Sequence, residues 1–143
     1  MILGLLACQV VAAHRVFVDY SHKVDEFSGV NWESAMAHLD NFALSLNDNP
    51  NEVGVIIVYG GQHRRRGEAS AWSACIRDYL VNRRGISADR LVIVDGGYRQ
   101  SPTVELWGAA DKRYVAKPSQ QLRPKDVRFM KGQIGHWRRM CNN

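Results

Sequence analysis

The sequence predicts an α+β domain with the element order β-α-β-α-β-β, its two helices packed on one face of a small mixed sheet. Three observations predict it. Val53-Gly-Val-Ile-Ile-Val-Tyr59 is a short, almost wholly apolar run rich in β-branched residues, the pattern of a strand buried on both faces. Trp32, Ala35, Leu39, Phe42 and Leu46 recur at three- and four-residue steps and make one core-facing helical stripe. Gly85, with Ile86 just beyond it, closes a second helix before another apolar strand, Leu91-Val-Ile-Val94.

In chain order, Arg15-Val-Phe-Val-Asp-Tyr20 alternates and reads as the first strand, whereas Ser21 to Val30 is polar and irregular. Asn31 is the N-cap of a helix from Trp32 to about Leu46, which Asn47-Asp-Asn-Pro-Asn51 ends. The second strand breaks at Gly60. The second helix runs from about Glu68 to Arg84, with Ala71, Cys75, Ile76, Tyr79 and Leu80 inward and Arg77, Asp78, Arg83 and Arg84 toward solvent. Asp95-Gly-Gly97 is read as a turn, and Thr103-Val-Glu-Leu-Trp107 as the last strand, with Trp32 and Trp107 on the core. Beyond Trp107 the patterning decays. Lys125 to Met140 has an amphipathic helical pattern interrupted by Gly132 and Gly135. The chain therefore divides into an apolar segment, 1–14, a domain, 15–107, and a tail, 108–143, outside the core.

Charge follows the same division. The tail holds nine Lys or Arg against Asp111 and Asp126, a net of +7, and the preceding 107 residues hold ten basic and twelve acidic residues, a net of −2. A cationic tail is either a solvated appendage or an attractor for phosphate-rich surfaces, membrane or nucleic acid. The apolar start, Met1-Ile-Leu-Gly-Leu-Leu-Ala-Cys8, resembles a bacterial lipoprotein signal in which Cys8 becomes lipidated, and Val11-Ala-Ala13 offers an ordinary secretory cleavage site. No Lys or Arg precedes the apolar stretch, so a truncated signal and a core-packing segment both fit. In an exported chain Cys75 and Cys141 can form a disulfide; the inward position of Cys75 favours a buried, inert thiol instead. No Cys–His spacing suggests a metal, and no cofactor motif is present.

Several of these residues carry a resemblance. Leu39-Asp40 on the first helix, the strand ending at Gly60, Arg77-Asp-Tyr-Leu80, and Arg84-Gly-Ile-Ser-Ala-Asp-Arg-Leu91 followed by Gly96-Gly-Tyr98 are similar to the OmpA-like domain. That domain is the peptidoglycan-associating module of many bacterial envelope proteins. The resemblance covers about Arg15 to Trp107. It implies a non-catalytic module of the periplasm or outer membrane whose partner is a cell-wall polymer or an envelope protein. The family clamps diaminopimelate with an Asp and an Arg; the matching positions fall near His63 and Trp72. Neither residue type is kept, and the clamp needs a carboxylate for the ligand's ammonium and a guanidinium for its carboxylate. The fold is therefore carried over and the usual ligand is not.

One local feature remains. Gly60, Gly61, Gln62, His63, Arg64, Arg65, Arg66 and Gly67 lie between a strand end and a helix start, where glycine amides, helix dipole and guanidinium charge can meet an anion. With Trp72, a surface for a sugar or base or else a cover for the helix edge, Gly60 to Arg66 are the candidate ligand-binding residues. The alternative is a plain turn whose arginines are solvated or pair with Glu68. His63 has no nucleophile paired with it, His14, His22, His38 and His136 are scattered, and no enzyme is expected. The second function class is a cytoplasmic anion or nucleic-acid binder using Arg64 to Arg66 and the tail.

Overall fold

The computed structural model describes residues 20–141. In chain order its elements are β1 (Ser21–Ser28), α1 (Trp32–Asp48), β2 (Val53–Gly61), β3 (Arg65–Arg66), α2 (Glu68–Asp78), β4 (Leu91–Arg99), β5 (Thr103–Ala109) and β6 (Met130–Gln133), with a π-helical turn over Tyr79–Arg83. The main sheet has the order β1-β5-β2-β4; β5 is antiparallel to both neighbours, and β2 runs parallel to β4 across the α2 crossover. β3 and β6 form a separate parallel pair. The fold is the expected α+β arrangement of two helices against a small mixed sheet. Among the described residues no helix is long and apolar enough to cross a membrane.

The helix expectations hold in detail. Asn31 Oδ1 accepts the Ser34 amide at 2.9 Å, capping α1. Trp32, Ala35, Leu39, Phe42 and Leu46 are all buried. Gly85 takes φ +69°, and Ile86 folds back so that its amide donates to Leu80 O at 2.9 Å and its side chain enters the core.

The strands depart from the sequence reading. The expected first strand, Arg15 to Tyr20, lies outside the described residues except for Tyr20, as does Cys8. Ser21–Ser28, read as irregular, is β1. Its alternation is hidden by a bulge between Lys23 and Asp25 and by charged side chains that have partners: Lys23 and Glu26 on the sheet, Asp25 with His38. β4 runs through Asp95-Gly-Gly97 to Arg99, and the reversal comes at Gln100–Pro102. Gly96 is needed for close approach, because a Cβ there would sit 2.5 Å from the Tyr59 ring.

β2 is buried on both faces, and each face has a different cover. Ile56 and Val58, with Val104 and Leu106 of β5, meet the helices. Val55, Ile57 and Tyr59 point the other way with Ala109. That second face is covered by the segment after β5: Val115 and Ala116 pack on it, the Ser119 amide donates to Tyr59 Oη at 3.0 Å, and the Leu122 amide to Tyr98 O at 3.0 Å. The segment set apart as a tail is thus laid back on the sheet. Its expected helix over Lys125 to Met140 is replaced by β6 and short 3-10 turns, and Gly132 sits at φ +93°, which a helix does not allow. Trp137, Met140 and Cys141 then reach the helix-side core. Cys75 is not a free thiol: it is disulfide-bonded to Cys141, with Cα atoms 5.8 Å apart, because the returning chain brings Cys141 against the inward face of α2.

Candidate functional site

The eight candidate ligand residues do not form one loop. Gly60 and Gly61 belong to β2 and pair with Tyr98 and Arg99. Their lack of a side chain serves packing: a Cβ at Gly60 would lie 2.9 Å from the Tyr98 ring, and one at Gly61 2.7 Å from Pro102. The Gln62 backbone is tied on both sides, donating to Gln100 O at 3.2 Å and accepting from the Arg128 amide at 3.0 Å. His63 is exposed.

The three arginines diverge. Arg64 lies 3.5 Å from Glu68 Oε1, and the Arg65 amide donates to Glu68 Oε2 at 3.4 Å. The carboxylate of Glu68, in the first turn of α2, therefore takes the position that a bound anion would occupy at the helix start. Arg66 lies over the Phe129 ring at 4.3 Å. Arg65 and Arg66 are the two residues of β3, and the ladder to β6 shifts register between them, Arg65 facing Met130 and Arg66 facing Gln133.

Trp72 is half-buried, its ring 5.5 Å from that of Trp32 and tilted by 59°. It forms the wall between two concavities. One, of about 70 Å³, lies among Phe27, Val30, Val58, Ala69, Pro102 and Val104, with Arg64 and Glu68 also lining it. The other, of about 540 Å³, is an open groove between the start of α2 and the returning C-terminal segment. Among the described residues no three His, Cys, Asp or Glu side chains converge as a metal site.

Two charged clusters escaped the sequence reading. On the sheet face away from the helices, Arg99 donates to Glu105 Oε1 at 2.7 Å and lies over the Tyr59 ring at 3.7 Å. The second carboxylate oxygen accepts from Tyr59 at 3.1 Å and Trp107 Nε1 at 3.2 Å, and Lys23 reaches Oε1 at 3.1 Å. Arg99 also donates to Ser119, so the cluster pins the covering segment. Burial pushes the Glu105 carboxyl up, but the bonds from Arg99, Lys23, Trp107 and Tyr59 prevail and hold it below the ordinary value. The only hint of this in the sequence was Glu105 inside an otherwise apolar strand.

The second cluster joins the helices. Tyr79 Oη donates to Asp40 Oδ1 at 2.6 Å, and Arg84 contacts both Asp40 oxygens, at 2.5 and 2.6 Å. Burial raises the Asp40 carboxyl, and the Tyr79 and Arg84 bonds outweigh it. Arg90 acts similarly at the other end of α1, donating to Leu46 O, Asn49 O and Glu52 O. Leu39-Asp40, Tyr79, Arg84 and Arg90, residues quoted from the motif stretches above, are thus spent on scaffold contacts. No protein-family model and no curated protein matches the chain.

Proposed function

We propose that the chain is a non-catalytic binding module of OmpA-like build in the bacterial envelope, contacting a cell-wall polymer or an envelope protein through the surface around Trp72. The observation that carries this is the Cys75–Cys141 disulfide, which closes the chain end onto α2. Such bridges persist in oxidising compartments and are rare where thioredoxin and glutathione operate. The β-α-β-α-β-β order of the main elements supports the same reading, as do the scaffold roles of Asp40, Tyr79, Arg84 and Arg90.

The usual diaminopimelate clamp does not belong to this reading. His63 is exposed and Trp72 is an apolar wall, so neither supplies the needed carboxylate or guanidinium. Binding of purified diaminopimelate-type sacculi through that clamp should be weak or absent. Anion or nucleic-acid binding by Arg64 to Arg66 draws less support, because Glu68 engages Arg64 and the Arg65 amide while Arg66 lies on Phe129.

Cell fractionation with intact mass of the mature chain, before and after reduction, tests the proposal. We expect an envelope location, a gain of two hydrogens on reduction, and a mass that reports any lipid on Cys8. A cytoplasmic protein with Cys75 and Cys141 open to alkylation without reductant overturns it.

A further inference from the structure

The groove between the start of α2 and the C-terminal segment joins an apolar floor to uncompensated positive charge. Its floor is Trp72 beside buried Trp32, with Met130 and Met140. Met130, on the short strand β6, is 56% exposed, a large apolar side chain held open in a concave surface. Arg65 and Arg139 stand at the rim. Glu68 is the acidic residue of the lining, and it is already engaged by Arg64 and the Arg65 amide. Among the described residues neither Arg65 nor Arg139 has an ion-pair partner.

We propose that this groove docks an acidic peptide segment of a partner protein, its carboxylates meeting Arg65 and Arg139 and an apolar side chain entering between Trp72 and the methionines. Trp, Met and Arg are the residue types enriched in protein interfaces. Methionines in particular let one groove accept apolar anchors of different shape. Charge complementarity selects acidic over basic segments. A nucleic acid fits less well: stacking bases needs open ring faces, and Trp32 is 8% exposed while Trp72 leans on it at 59°. The disulfide contributes preorganisation, since Arg139 and Met140 immediately precede Cys141 and are held in place by its bond to Cys75. The inference deepens the binding role proposed above by naming the partner's chemistry.

Fluorescence anisotropy of the oxidised full chain with a labelled Glu-Glu-Leu-Phe-Glu-Leu peptide tests it. Saturable binding is expected, weakened about tenfold by Arg65→Ala and by Arg139→Ala, since each removes a charge-assisted bond. Met130→Glu should abolish binding without moving the urea midpoint, because that side chain is exposed. Cys141→Ser should weaken binding several-fold by freeing the Arg139 wall. Equal binding of the Lys-for-Glu peptide, or arginine variants that bind as the parent does, overturns the proposal. An oligo-dT strand that displaces the peptide and binds more tightly also overturns it, in favour of a nucleic-acid groove. Failure here alongside an envelope location would leave the compartment reading standing and remove only the acidic partner.

Discussion

The two faces of the main sheet are closed by different physics. Toward α1 and α2 the cover is apolar: Leu39, Phe42, Leu46, Ile76 and Leu80 meet Ile56, Val58 and Leu106, all but fully buried. On the opposite face a smaller apolar group, Val55, Ile57 and Tyr59, is covered by a segment of irregular chain and closed by the Arg99–Glu105 cluster. The helix face gains stability roughly in proportion to the area removed from water, and losses there are local cavities. The far face depends on charges that are stable only while every partner is present. One face is tolerant and the other is brittle.

Removing the far-face cover should have the largest effect. Truncation after Ala109 exposes Val55, Ile57 and Tyr59, takes Ser119 from Arg99 and deletes Cys141. We expect loss of the cooperative urea transition. A truncated chain that unfolds cooperatively at the parent midpoint would show that this face needs no cover.

Single substitutions sharpen the contrast. Glu105→Ala leaves the buried Arg99 with only the more exposed Glu26 carboxylate, 3.3 Å away, and should cost about 3 kcal/mol. Adding Arg99→Met to Glu105→Leu should restore most of that loss, because an apolar pair leaves no stranded charge. Leu39→Ala on the helix face should cost about 2–5 kcal/mol through its cavity, with no second polar change able to rescue it. Urea unfolding of the four proteins checks the set; equal additivity on both faces would erase the distinction.

Acid should act first on the far face. Because the Glu105 carboxyl is held below its ordinary value of 4.5 in the folded chain, its contribution is present above that pH and is lost as pH falls through the lower folded value. The melting temperature should therefore drop below about pH 4.5, and the drop should shrink in Glu105→Gln. Asp40, also lowered, adds a term of the same sign from the helix side, which Asp40→Asn isolates. The smallest change is Asn31→Ala, which removes the α1 cap and should cost about 1 kcal/mol by urea unfolding.

The helices were legible because their signals are local. The 3.6-residue stripe of α1, the Asn31 cap and the Gly85 stop each act within a few residues. Glycines misled for the opposite reason. Gly60, Gly61 and Gly96 read as loop punctuation, yet each makes room for a ring or proline distant in sequence. The candidate loop followed the same course: Gly-Gly and three arginines suggested convergence on an anion, and Glu68 and Phe129, distant from one another in sequence, draw Arg64 and Arg66 apart. The groove was invisible, since its rim unites Arg65 with Arg139, positions that only the returning chain brings together.

By itself the sequence determined the fold class, the two helices and the doubly buried β2, because propensity, periodicity and capping are written in neighbouring residues. That β2 was buried on both faces already required a second cover, though no local pattern in Gly108 to Asn143 named it. The tertiary structure alone decided that this cationic segment is the cover and that Cys75 meets Cys141. It also decided that Arg99 and Glu105 neutralise each other inside. Irregular chain has no period to read, and a buried charge reveals its partner only once both are folded out of water.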